Sequence, residues 1–95
     1  MAFSKPGDAN VETDLAVCLH YLVQDDKALE ILDRVLAYRP GFSQALFNKG
    51  TILINGKKNV KAGIDVWENL LRTNPDFARK SELEQRIGKL KGSIR

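Results

Sequence analysis

The apolar residues in the first part of the chain fall into two stripes with helical spacing. Between positions 11 and 22 they stand at 11, 15, 16, 19 and 22, in steps of 4, 1, 3 and 3. Such steps place side chains on one face of an α-helix. Asn10 or Asp8 can cap this helix, and the polar run at 24–27 interrupts the pattern. A second stripe at 28, 29, 32, 35 and 36 predicts a second helix, which ends before Pro40.

The rest of the chain repeats this arrangement and adds one more stripe. Positions 45, 46, 50, 53 and 54 predict a third helix, and positions 60, 63, 64, 67, 70 and 71 predict a fourth that ends before Pro75. A fifth helix with a charged opposite face is predicted beyond Pro75, from the narrower stripe Phe77, Leu83, Ile87, Leu90 and Ile94. Because no segment alternates with a period of two over the length of a strand, the chain is predicted to be all-α.

The two predicted hairpins carry matching residues about 34 positions apart. Leu19 aligns with Leu53 at an interval of 34, and Pro40 aligns with Pro75 at an interval of 35. The other pairs are Ala16 with Gly50, Ala28 with Gly63, Leu32 with Trp67 and Val35 with Leu70. Small residues at constant places, followed by a closing proline, are the signature of a helical repeat.

The residue types in these pairs have a physical reason. The small members are expected where two helices approach closely. Leu32 and Trp67 are large, and we expect them to fill the groove between one hairpin and the next. Pro40 and Pro75 end the second helix of each hairpin and direct the chain into the following unit.

Because of these aligned residues, the chain resembles the tetratricopeptide repeat family over residues 9–77. The resemblance implies an α-α superhelix of antiparallel hairpins, with one repeat at 9–42, a second at 43–77 and a solvating C-terminal helix at 78–95. Residues 1–8 are then a disordered tail. The positions that carry the resemblance are Leu15, Ala16, Leu19, Ala28, Leu32 and Pro40 in the first repeat, and Leu46, Gly50, Leu53, Gly63, Trp67, Leu70 and Pro75 in the second.

Two positions depart from the pattern of this family. Glu12 stands where a large apolar residue belongs, and we expect its neighbour Val11 to take that place. Lys49 stands where the second repeat should have leucine. Since a buried unpaired ammonium group is costly, we expect the stem of Lys49 to pack while its head reaches water.

Composition narrows the possible functions. Ninety-five residues with 43% hydrophobic and 28% charged positions are typical of one small soluble domain. One cysteine and one histidine exclude an internal disulfide and a Cys/His zinc cage. Cys18 and His20 are two residues apart, which on a helix turns their side chains in nearly opposite directions. The sequence therefore indicates no enzyme, no metal and no cofactor.

The net charge of +3 is concentrated in the C-terminal segment 76–95. We interpret this segment as the solvated face of the last helix rather than as a nucleic-acid site. Lys57, Lys58 and Lys61 add positive charge, but no aromatic stacking platform accompanies them. Nucleic acid is therefore not the expected partner.

The resemblance also implies a binding surface, because the first helices of successive repeats line a concave face that receives a peptide. The candidate groove residues are Thr13, Val17, His20 and Tyr21 from the first repeat, and Gln44, Phe47, Asn48, Thr51 and Asn55 from the second. Helical geometry agrees with this choice for most of them. The steps are 4 and 3 for Thr13, Val17 and His20, and 4, 3 and 4 for Gln44, Asn48, Thr51 and Asn55, so each of these two sets lies on one helix face outside the main leucine stripe.

These residues predict a non-catalytic module that binds a peptide or partner protein. Tyr21 and Phe47 are candidate anchors, with packing against a neighbouring helix as the alternative for both. Asn48, Gln44 and Asn55 can bond a peptide backbone. The alternative function is structural self-association as a homodimer, because two repeats are fewer than a continuous core usually requires.

Two subtypes of the family can be compared with this chain. Some members clamp the C-terminal tails of chaperones with a set of five residues. This chain matches that set at two positions only, Asn48 and Arg79, so no such clamp is expected. Residues 62–87 resemble the ending of bacterial assembly proteins for c-type cytochromes, which hints at a larger, envelope-anchored bacterial parent. No long apolar run or export signal is visible. The expected compartment is the cytoplasm, or the periplasm for an excised domain.

Overall fold

The computed structural model describes residues 8–93, which form five α-helices joined by short turns. In chain order the helices are α1 (Ala9–Tyr21), α2 (Asp25–Tyr38), α3 (Ser43–Asn55), α4 (Val60–Thr73) and α5 (Lys80–Ser93). No strand occurs between residues 8 and 93, so the predicted all-α class is confirmed. The predicted tail, apart from Asp8, and the apolar position Ile94 lie outside the described residues.

Side chains and prolines set the ends of these helices. Of the two candidate caps of α1, Asp8 takes the position, and its Oδ1 accepts a hydrogen bond from the Val11 amide at 3.2 Å. Asn59 caps α4 in the same way through the Ala62 amide, also at 3.2 Å. Each contact satisfies an amide that the first turn of a helix leaves unpaired.

The helices pack as two hairpins followed by a single helix. α1 packs on α2, and α3 packs on α4. Both helices of the first hairpin contact α3, while α5 covers α4. The stack extends 46 × 29 × 18 Å. Within residues 8–93, no helix combines the length and the apolarity needed to cross a bilayer.

The buried side chains form two clusters, one after the other along the stack. The first joins the two helices of the first hairpin to α3 and contains Ala9, Ala16, Ala28, Leu32, Val35, Ala45 and Ile52. The second joins α3 and α4 to α5 and contains Leu46, Ile64, Trp67, Leu70, Leu83 and Ile87. Leu36 packs against both clusters and therefore connects them.

The helices α3 and α4 approach each other closely at two glycines. A Cβ on Gly50 would lie 2.2 Å from Nε1 of Trp67. A Cβ on Gly63 would lie 2.3 Å from Cγ1 of Ile54 and 2.8 Å from the Gly50 carbonyl oxygen. Both distances are far inside van der Waals contact, so any larger residue would push the two helices apart.

The structure corrects one expectation about α1. Val11 does not take the buried place beside Glu12, because Val11 is exposed and Glu12 itself is buried at 8% exposure. Tyr38 donates a hydrogen bond to the Glu12 carboxylate, which removes the need for an apolar substitute. Leu15 is also 47% exposed. Its aligned residue Lys49 places its ammonium nitrogen 2.7 Å from Oδ1 of Asp33 at the surface between α2 and α3.

Candidate functional site

A cleft of about 330 Å³ opens between α1, α3 and the segment that precedes α5. Four of the nine predicted groove residues line it, and three further residues complete it. The lining residues are Thr13, Gln44, Phe47 and Asn48, together with Asp14, Phe77 and Arg79. The cleft thus combines aromatic rings, amide groups and one charge of each sign.

Phe47 forms the aromatic wall of this cleft and is held in place by α4. Its ring stacks on Trp67 with centroids 5.9 Å apart and planes 15° apart. The indole Nε1 of Trp67 donates to the Phe47 carbonyl oxygen at 3.0 Å, and Phe77 lies with its ring centroid 6.2 Å from that of Phe47. Because three contacts hold Phe47, it is both a core residue and part of the cleft wall.

Arg79 brings a positive charge to the same wall. Its guanidinium carbon lies 4.6 Å from the centroid of the Phe47 ring, which is cation–π distance. The same guanidinium donates to Oε2 of Glu82 at 3.1 Å. This hydrogen bond raises the pKa of Arg79 and lowers the pKa of Glu82 from their ordinary values, since it favours the charged form of each. The charge on this wall is therefore permanent near neutral pH.

Polar groups that can bond a ligand also line the cleft. The Thr13 hydroxyl is buried, at 2% exposure for the residue, and finds no hydrogen-bond partner among the described residues. Asn48 is half-buried and Gln44 is exposed, and each offers a donor and an acceptor. Because the Thr13 hydroxyl is buried, the groups of this set that a ligand can reach are the two amides.

The other five predicted groove residues lie outside this cleft. The His20 Nδ1 lies 2.5 Å from Oδ1 of Asp25, which ties its ring to the start of α2. Tyr21 is 79% exposed at the end of α1. Thr51 donates within α3 to the Phe47 carbonyl oxygen at 3.0 Å. Val17 is half-buried, and Asn55 lines a separate pocket of about 200 Å³ between α3, α4 and α5.

Three cleft residues were absent from the predicted set: Asp14, Phe77 and Arg79. Asp14 follows Thr13 directly and is exposed. Phe77 and Arg79 precede α5, where only the fold brings them beside α3. The alignment with the chaperone-binding clamp, which placed Arg79 at a lysine position of that clamp, was the one sequence signal available for it.

No group of three or more His, Cys, Asp or Glu side chains in residues 8–93 is placed to hold a metal ion. Cys18 is exposed on α1 and His20 is engaged with Asp25. The cleft offers one aromatic wall and several hydrogen-bonding groups.

No protein-family model, curated protein sequence or solved structure matches this chain. A function therefore has to be inferred from the residues of the cleft and their surroundings. Three features can indicate a function: the repeat interval, the two hairpins and the cleft between α1 and α3.

Proposed function

We propose that this chain is a non-catalytic interaction module of the tetratricopeptide type that binds an extended peptide in the cleft between α1 and α3. The observation that carries the proposal is a cleft in which two side chains with amide groups, Gln44 and Asn48, lie beside the ordered Phe47 ring. These groups match the alternating donors and acceptors of a peptide backbone.

The aromatic wall supplies the apolar part of the proposed contact. The Phe47 ring is already ordered by its stacking on Trp67, so binding requires little further loss of side-chain entropy. Phe77 extends the apolar surface beside it. A side chain of the peptide would pack on this wall while its backbone faced Asn48 and Gln44.

The charges of the cleft favour a peptide without a strong charge of either sign. Asp14 and Arg79 line the same cleft, and Arg79 is already paired with Glu82. Neither a polyanion nor a polycation would therefore find a single-sign field at this site. This favours a peptide over nucleic acid as the partner.

Selection from a random dodecapeptide library displayed on phage tests the proposal. Phe47 is unsuitable for substitution because it packs on Trp67, so the informative variant is Gln44→Ala combined with Asn48→Ala. Asn55→Ala is the matched control, since Asn55 is an exposed amide on the same helix outside the cleft. Fluorescence of Trp67, which stacks on Phe47, reports binding.

We expect enriched peptides to bind the wild type and Asn55→Ala equally. Binding to the double variant should be weaker by about tenfold or more, since two hydrogen bonds of roughly 0.5–1.5 kcal/mol each are lost. Failure to enrich any peptide, or equal binding to the double variant, would overturn the proposal. Circular dichroism of the double variant checks that its fold is unchanged.

A further inference from the structure

Two charged side chains line the proposed peptide cleft, and they belong to different elements. Asp14 lies on α1, and Arg79 lies in the segment before α5. Both residues are exposed, so a ligand in the cleft can reach them. The ion pair that Arg79 forms is with Glu82 and not with Asp14. The two charges of the cleft therefore differ in whether a partner already neutralises them.

The charge of Arg79 is already paired within the protein. Its Nε donates to Oε1 of Glu82 at 3.3 Å, and its Nη2 donates to Oε2 of Glu82 at 3.1 Å. These two hydrogen bonds form a bidentate pair, which is the strong arrangement for an arginine and a carboxylate. The same guanidinium lies over the Phe47 ring. A carboxylate on a ligand would have to compete with Glu82 for these donors, so Arg79 contributes little affinity for an anion.

The carboxylate of Asp14 has no such partner. Among residues 8–93 it takes part in no ion pair and accepts no hydrogen bond. Arg79 is the one basic residue among the described residues that line the cleft. The adjoining cavity, which shares Gln44, Phe77 and Arg79 with the cleft, adds a second acidic residue, Asp76. The charge that the cleft leaves uncompensated is therefore negative.

We propose that Asp14 selects the bound peptide by pairing with one cationic group on it. The group is the ammonium or guanidinium of a basic side chain, or the ammonium at the N-terminus of the peptide. An exposed ion pair adds little affinity, but charge complementarity determines which partner binds and in which register. This inference rests on the proposed peptide function and adds to it the chemistry of the ligand.

The packing of the helices gives this pairing a fixed position along the peptide. Asp14 lies on α1 and Phe47 lies on α3, and these two helices are in contact. The carboxylate and the aromatic wall are therefore held at a constant separation. The cationic group should accordingly lie a constant number of residues from the peptide side chain that packs on Phe47.

Reversal of one charge, with a matched reversal outside the cleft, tests the pairing. Asp14→Lys is the test variant and Asp65→Lys is its control. Both aspartates are exposed, and each is the sixth residue of its helix, α1 or α4. The two variants change the net charge equally, but Asp65 does not line the cleft. The probes are dodecapeptides from a random phage library, selected on the wild type and then synthesised.

We expect the enriched peptides to bind the wild type and Asp65→Lys equally. Asp14→Lys should bind them about tenfold more weakly, because repulsion replaces attraction at one position. Exchange of the basic residue of the peptide for glutamate should weaken binding to the wild type and strengthen binding to Asp14→Lys. Such a reciprocal change identifies the two groups as partners.

Two modified peptides distinguish the sources of the positive charge. One carries an acetylated N-terminus, and the other carries glutamine in place of its basic residue. Weaker binding of the first peptide to the wild type identifies the terminal ammonium as the partner of Asp14. Weaker binding of the second identifies the side chain. Unchanged binding of both peptides would overturn the proposal.

The same selection separates failure of this inference from failure of the proposed function. Enriched peptides that bind Asp14→Lys as tightly as the wild type would contradict the role of Asp14 and leave peptide binding intact. A selection that enriches no peptide would contradict both. Circular dichroism checks that Asp14→Lys folds. Asp14→Asn, which keeps the size of the side chain, is the second test variant and should weaken binding about two- to fivefold.

Discussion

Glu12 places a carboxylate inside the first hairpin, where an apolar residue was expected. The Tyr38 hydroxyl donates to its Oε1, and Nη1 of Arg34 lies 4.0 Å from its Oε2. A buried carboxylate is tolerated only with such partners. The hydrogen bond to Glu12 raises the pKa of Tyr38 above its ordinary value of 10.0, because it holds the phenol in its protonated form.

This contact predicts a loss of stability at alkaline pH. Since the pKa of Tyr38 is higher in the folded state than in the unfolded state, its contribution to stability is complete below pH 10.0. That contribution is lost as the pH rises through the folded pKa. Phenolate absorbance of a Tyr21→Phe variant, which leaves Tyr38 as the one tyrosine, measures the pKa directly. Adding Glu12→Gln should lower it, and an unchanged pKa would show that Glu12 is not the cause.

The close packing around Gly63 predicts a loss of stability when this glycine is replaced. Gly63→Ala should destabilise the fold by about 1–3 kcal/mol, because its Cβ would collide with Ile54 and with the backbone of Gly50. Gly88→Ala is the matched control and should stabilise by about 0.5–1 kcal/mol, since the added methyl group meets open space on a helix. Urea unfolding at low protein concentration compares the two. A Gly63→Ala variant as stable as the control would mean that α3 and α4 are not in close contact there.

At the scale of elements, α5 is the helix with the least support. Among the helices that the structure describes, α4 is the one whose main chain lies close to that of α5. Leu83 and Ile87 are its buried residues, and Lys91 adds an ion pair with Glu68 at 2.5 Å on the surface. A helix of this length is marginal by itself in water, so α5 depends on burying Leu83 against the second cluster.

Truncation of Leu83 tests that dependence. Leu83→Ala should destabilise the docked state of α5 by about 2–5 kcal/mol, through lost burial and the cavity left behind. Hydrogen exchange should then accelerate in residues 80–93 before it accelerates in α1 and α2. Glu84→Ala, which changes an exposed residue of the same helix, serves as the control. Uniform acceleration along the whole chain would instead show that α5 does not open separately.

At the scale of the whole molecule, Leu36 links the two clusters of the core. In a stack of hairpins each unit contacts only its neighbours, so cooperativity depends on the interface between them. Trp67 is the one tryptophan of the chain and lies in the second cluster, whereas circular dichroism follows all helices. The two signals therefore report different parts of the same unfolding transition.

These probes yield a prediction about cooperativity. In the wild type, Trp67 fluorescence and circular dichroism should give the same midpoint of urea unfolding. In Leu36→Ala the fluorescence midpoint should lie above that of circular dichroism, because the second cluster keeps its support from α5 while the first loses its link. Coincident midpoints in the variant would mean that contacts other than Leu36 couple the hairpins.

The positions of the helices were largely predictable from sequence. The stripe from Val11 to Leu22 predicted both ends of α1 to within two residues, because helical periodicity and the Asp8 cap are local signals. Local sequence signals did not predict the burial or position of a side chain whose partner lies far away in the sequence. The burial of Glu12 required Tyr38, 26 residues away, and the place of Arg79 above Phe47 required the turn before α5.

By itself, the sequence determined the helical class, the order of the five helices and the small residues where α3 meets α4. These follow from periodicity, capping and repeat spacing, which act over a few residues or recur along the chain. The tertiary structure alone decided which candidate groove residues meet: Thr13, Gln44, Phe47 and Asn48 share a cleft, while His20 turns to Asp25. It also decided that Val11 and Leu15 of α1 are exposed within residues 8–93, because burial depends on which elements pack against a face and not on the residues within it.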